Sequence, residues 1–210
     1  MIKMEIIELL NKMIPMLLIF TVSLSSIRIT YLFLNKEKIV FYKEILNLVF
    51  MIYILILFYI ISAQEVFVGP NETYNLVPFK EIFRYQIGST SFLKNTVGNI
   101  LLFVPFGLFL SYYLGRAKLY IIFFLTLISS FTIELSQRLV MGRIFDVDDI
   151  ILNVFGGILG YILFLIFKNI SKIIPKIFKK NWFYNLLIIL LLTCIGWLLW
   201  QFGIFTVFHE

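Results

Sequence analysis

Charge is what this sequence has least of: Asp, Glu, Lys and Arg together make up 14% of its residues, against about 25% in a soluble domain. So few polar groups cannot cover the surface of a water-soluble fold of this size, which leaves a polytopic membrane protein as the fitting class. Cysteine and histidine are nearly missing as well. Cys194, the single cysteine, closes no intramolecular disulfide and builds no thiolate cluster, and its apolar surroundings make it a packed thiol. His209, the single imidazole, reads as a terminal residue outside any site, so histidine-based acid–base chemistry and zinc spacing drop out. No glycine-rich phosphate loop follows a strand, and neither a cofactor nor a metal is expected. The net charge of +6 gathers in loops, where it acts as a topology signal; nucleic acid is not expected as a partner.

What is there instead is apolar: 61% of residues are hydrophobic and 18% aromatic. Runs long enough to cross a hydrocarbon layer roughly 30 Å thick recur about six times. They lie near Ile14–Leu34, Ile45–Ala63, Val97–Leu114, Leu119–Gln137, Ile150–Phe167 and Asn185–Phe208. The pattern predicts an all-α, polytopic transmembrane helical bundle, multi-pass in the cell membrane. The first run is followed by no small-residue cleavage site and reads as an uncleaved span. Arg28, near its end, is expected to snorkel to the interface. Pro105 and Gly107 lie in the third run, and Pro105 cannot donate to the Leu101 carbonyl, so a kink or break is expected there. The Gln64–Lys94 connection is the one long loop; within it Phe79–Arg84 alternates apolar pairs with charges at helical spacing, which predicts a short interfacial helix. The loops holding Lys36, Lys38, Lys43, Arg116, Lys118 and the Lys168–Lys180 cluster are the more basic set, so the positive-inside rule makes them cytoplasmic and turns the long loop outward.

The costliest residues for a membrane collect between Phe131 and Gly160. Ionisable groups at membrane depth cost about 2.5–3.5 kcal/mol each on an insertion scale, so they face a bundle interior or a wet cavity. Topology brings the start of the third run, the end of the fourth and the start of the fifth to one membrane face. Asn95 and Asn99, Glu134 and Gln137, and Asp146, Asp149 and Asn153 all fall within one or two turns of that face. Helical spacing puts Asn95 with Asn99, Glu134 with Gln137, and Asp149 with Asn153, Gly156 and Gly160 on one side of their helices. Gly156, Gly157 and Gly160, with Gly98 on the third run, supply small-residue surfaces for close helix approach. Asn99, Glu134, Gln137, Arg143, Asp146, Asp149 and Asn153 are therefore the candidate ligand-binding residues. Each has a structural alternative: Asn99 and Asn153 as interhelical hydrogen-bond groups, Arg138 and Arg143 as interfacial anchors, Glu134 in an ion pair with either arginine, and Asp148 as a solvated loop residue or helix cap.

Taken in order, Asn75-Leu76-Val77-Pro78-Phe79, Gly98-Asn99 through Pro105-Phe106-Gly107, Glu134-Leu135-Ser136-Gln137, Gly142-Arg143, Asp146-Val147-Asp148-Asp149 and then Asn153, Gly156 and Gly160 resemble the VanZ-like family of bacterial membrane proteins. The resemblance covers about Tyr74–Phe167. It suggests two N-terminal transmembrane helices in residues 1–68, a VanZ-like core with three spans in residues 69–168, and a basic cytoplasmic loop with a C-terminal span in residues 169–210. It implies a cell-envelope protein that in some members lowers sensitivity to the lipoglycopeptide teicoplanin. The residues themselves fit a non-catalytic pocket for membrane lipids or a lipid-linked cell-wall precursor, with Arg143 and Arg138 on phosphate and the amides and carboxylates orienting the headgroup. A membrane-embedded enzyme on a lipid-linked substrate, with Glu134, Asp146 and Asp149 holding Mg²⁺, is the runner-up. A lipid transporter or flippase is the third reading.

Overall fold

The structure is a computed structural model, and it describes residues 2–63, 74–115, 118–141 and 143–201. In chain order the elements are α1 (Ile2–Leu34), α2 (Phe41–Ala63), β1 (Tyr74–Asn75), α3 (Thr90–Phe92), α4 (Gly98–Leu114), α5 (Leu119–Met141), β2 (Phe145–Asp146), α6 (Val147–Ile173) and α7 (Asn181–Gln201). A π turn, Leu93–Val97, joins α3 to α4, and a 3₁₀ turn, Lys176–Lys179, precedes α7. Among the described residues, five helical stretches are long and apolar enough to cross a membrane: Ile14–Leu34, Phe41–Tyr59, Thr90–Leu114, Leu119–Leu139 and Val147–Ile173. A shorter apolar stretch, Asn181–Cys194, lies in α7. This is the all-α membrane bundle that the hydropathy pattern predicts; the far end of the sixth expected span lies outside the described residues.

The chain divides into two compact units. The first holds residues 1–54 and 171–210. In it the Arg28 guanidinium, on α1, donates through Nε and Nη2 to the Glu44 carboxylate of α2 at 2.9 and 3.1 Å. Arg28 is thus paired within the protein, where the sequence suggested a side chain reaching for the interface alone. A bidentate carboxylate satisfies a guanidinium next to hydrocarbon without relying on headgroup water. The backbone N–H of Tyr42, in the first turn of α2, donates to the Asn185 side chain of α7 at 3.0 Å, and the Tyr42 and Tyr184 rings lie 5.2 Å apart.

The second unit, residues 55–170, carries the polar cluster. Its centre is α6, the most buried of the long helices. A methyl group on Gly107 would strike the Gly157 carbonyl, one on Gly156 the Ile100 carbonyl, and one on Gly160 the Val104 carbonyl. The backbones of α4 and α6 therefore touch, as small residues allow where lipid supplies no hydrophobic drive. Gly157 also abuts the Thr126 side chain of α5. Gly98 is different: the nearest neighbour to a Cβ there is the Leu93 carbonyl at 3.5 Å, an ordinary contact, so it is not a close-approach position.

Two local expectations come out differently. The third span is not broken at Pro105; α4 runs through it, and the irregular turn is the π turn at Leu93–Val97. Residues 79–84 form consecutive turns, and the helical turn of the long loop is Thr90–Phe92 instead. The reason is local: Phe79 sits at φ 68, and the N–H groups of Phe79, Glu81 and Ile82 point at the Asp148 carboxylate. A residue at that φ lies outside helical geometry, so the turns after it do not join into a regular helix, although the Phe83 N–H still reaches the Phe79 carbonyl at 3.2 Å.

Candidate functional site

Where α4 begins, α5 ends and α6 begins, the chain closes a polar corner with a small parallel ladder. Tyr74 pairs with Phe145 and Asn75 with Asp146. Phe145 is also packed by its ring against Phe131 of α5, at 5.8 Å. Buried backbone groups must find partners, and here carboxylates take them. Asp146 Oδ1 accepts from the Asn75 side chain and from the Asp148 N–H, each at 2.8 Å, while the Asp146 N–H donates to Glu134 Oε2 at 3.2 Å. Burial pushes the Asp146 carboxyl above the usual aspartate range, against the two N–H groups that favour its charged form.

Asp148 overturns its sequence reading. It is 1% exposed, neither a solvated loop residue nor a cap of its own helix. Its Oδ1 accepts the Phe79 N–H, and its Oδ2 accepts those of Glu81 and Ile82 at 2.7 and 3.3 Å. One carboxylate thereby folds the 77–85 loop over the start of α6.

Under that loop lies a cavity of about 170 Å³ lined by Glu81, Tyr85, Asn95, Asn99, Arg143, Asp146, Asp149 and their neighbours. A second, water-sized space of about 20 Å³ is lined by Asn99, Glu134, Gln137, Asp149 and Asn153, among others. Asn99 and Asp149 border both spaces, and the Asn99 amide donates to Asp149 Oδ1. The structure thus groups the sequence candidates in two layers: Asn99, Arg143, Asp146 and Asp149 around the larger cavity, and Glu134, Gln137 and Asn153 beneath it. Glu134 and Gln137 are buried at 3% and 4% exposure. Asn153 donates to Ser130 Oγ of α5 at 2.9 Å, which is the interhelical hydrogen bond weighed as its structural role.

The two arginines separate. Arg138 lies over the Tyr74 ring, 5.3 Å from its centroid, and is not among the residues lining either space. Arg143 lines the larger cavity, and its Nη1 is buried with no hydrogen-bond partner. Among the described residues no ion pair within 4 Å joins Glu134 to either arginine. An unpaired buried guanidinium nitrogen is expensive; in this corner Asn75 Oδ1 is likewise buried without a hydrogen-bond partner. Among the described residues no group of three His, Cys, Asp or Glu side chains is placed to hold a metal ion.

Sequence reasoning missed Asn75, Thr96, Ser130 and Asp148 as buried polar members of this corner. Asn75 and Asp148 stood within the quoted fragments, but their role depends on a loop contact across about seventy residues that helical spacing cannot register. Ser130 could have been found, since it sits four residues before Glu134 on the same face of α5.

No curated protein and no solved structure matches the chain. The VanZ/LLP1 family model does, over residues 45–168. The match begins earlier than the Tyr74–Phe167 block read from the sequence, so α2 from Ile45 onward falls within it along with α4, α5, α6 and the polar corner they build. Over more than half its length, this multi-pass membrane protein belongs to the VanZ/LLP1 family.

Proposed function

We propose that the protein is a non-catalytic component of the cell envelope, embedded in the cell membrane with its polar cavity facing outward, where it binds a lipid or lipid-linked headgroup. One observation carries this reading: Arg143 Nη1 is buried, unpartnered and part of a polar cavity. A guanidinium held in that state is completed by a phosphate oxygen, whose geometry its planar fork matches. Asn95 and Asn99 stand in the same wall and supply orienting amides. Apolar side chains exposed along the helices, such as Leu101, Leu135 and Phe155, give lipid tails a surface beside the cavity. A protein that holds envelope lipids in this way changes the access of a lipid-tailed antibiotic to its cell-wall target, and so lowers teicoplanin sensitivity.

The test is teicoplanin sensitivity of a susceptible Gram-positive host expressing wild type or Arg143→Ala at matched membrane levels, together with the lipids that co-purify with each. Wild type alone is expected to protect and to carry bound phospholipid. Co-purified lipid that is the same in both variants removes Arg143 from the reading; no protection by wild type detaches the protein from the antibiotic.

A further inference from the structure

Resting on the headgroup reading, we propose that the cavity selects a headgroup in which a phosphoryl anion is joined to a protonated amine, over one that is purely anionic. The charges around the cavity argue for this. Arg143 offers one cationic group with a free, buried nitrogen. Asp148 is spent on three backbone N–H groups, and Glu81 is tied to Arg84 at 3.0 Å. Asp146 and Asp149 are not spent. Each lines the cavity, and in each Oδ1 takes the hydrogen bonds while Oδ2 makes none among the described residues.

A bare phosphate in this space meets one guanidinium and two carboxylates, an unfavourable balance in a partly buried site. An amine carried on the same ligand reverses it by placing three N–H donors against the free Oδ2 atoms. Asn99 holds Asp149 from the other side, which fixes the direction of its free oxygen. Size agrees: about 170 Å³ is close to the roughly 150 Å³ that encloses a benzene-sized molecule, enough for a phosphoryl and a two-carbon amine but not for an enclosed disaccharide. The same chemistry comes from a bilayer lipid such as phosphatidylethanolamine or from soluble phosphoethanolamine.

The experiment uses the full chain in nanodiscs of equal phosphatidylethanolamine and phosphatidylglycerol, with the lipids retained after mild extraction counted by native mass spectrometry. Wild type is expected to retain the amine lipid about tenfold over the anionic one, the scale of one charge-assisted hydrogen bond. Asp149→Asn and Asp146→Asn are each expected to bring that ratio toward parity while still retaining lipid, and Arg143→Gln to retain neither; thermal midpoints establish that each variant is folded. Equal retention of both lipids by wild type overturns amine selection and leaves the headgroup reading intact. Retention of neither overturns both. Displacement of the amine lipid by soluble phosphoethanolamine supports selection by headgroup chemistry alone, and retention despite it supports selection of the membrane-anchored form.

Discussion

Asp148→Asn is the most informative single change, because it preserves size and one acceptor while inverting the other. In the variant Oδ1 still receives the Phe79 N–H, but an amide nitrogen replaces Oδ2 and confronts the N–H groups of Glu81 and Ile82, which Oδ2 held at 2.7 and 3.3 Å. A hydrogen bond to a charged group contributes about 1.5–3 kcal/mol. The Glu81 bond counts nearly in full, and the longer Ile82 bond for a fraction. Releasing the loop lets both N–H groups reach water, which caps the loss at about 3 kcal/mol. Phe79 adds to the drive, since its φ of 68 is a conformation that non-glycine residues hold only when their surroundings impose it. At 1.4 kcal/mol per factor of ten, opening of the 77–85 loop rises roughly a hundredfold. Hydrogen exchange in nanodiscs, read by mass spectrometry under conditions where exchange follows the open population, is expected to show that acceleration in the 77–85 peptide and none at residues 152–160 of α6. Wild-type exchange of the loop in Asp148→Asn would refute the latch, and equal loosening of α6 would show that the carboxylate supports the helix and not the loop.

Three further outcomes follow from packing and charge. Gly160→Ala and Gly107→Ala force α4 and α6 apart, because the new methyl meets backbone and not a movable side chain; each is expected to lower stability by about 1–3 kcal/mol or more, whereas Gly98→Ala is tolerated, as thermal midpoints in detergent will show. Asp146 is held above its usual range by burial, so its contribution is fully present below about pH 3.9 and is lost as pH rises through its folded value; Asp146→Asn should therefore gain stability relative to wild type as pH rises from about 4, and a difference that stays flat with pH rejects the assignment. Arg28→Ala or Glu44→Ala strands the remaining partner of a bidentate pair and is expected to destabilise more than the double replacement Arg28→Met with Glu44→Leu, a comparison that thermal unfolding of the four forms decides.

The bundle was legible because hydrocarbon imposes length and composition on any helix that crosses it, and α1, α2, α5 and α6 state both openly. The polar corner was legible for a related reason: Glu134, Asp149 and Asn153 have no inexpensive place in a membrane except facing one another. What escaped the sequence depends on partners far away along the chain. Asp148 and Asn75 look like ordinary loop residues until the loop and the start of α6 are in contact. Phe79–Arg84 has helical spacing of its apolar pairs, yet Phe79 is held at φ 68, outside helical geometry, with its N–H on a carboxylate nearly seventy residues later. Pro105 suggested a break in α4, but the irregular coil formed at Leu93–Val97, beside the cavity, where the Gly98 N–H closes it on the Leu93 carbonyl. Widened turns of this kind often coincide with functional sites.

The short β1–β2 ladder has a consequence for the order of assembly. Its partners lie 71 residues apart in sequence, with α4 and α5 between them. Helices inserting one by one as the chain is made satisfy their own backbone first, and contacts of long sequence separation form late because so much chain must be gathered before they repay it. The ladder and the Asp148 latch thus close after the spans are in place. A nascent chain that has threaded its helices correctly still lacks the closed polar corner, and the closing of that corner marks the last step of its maturation.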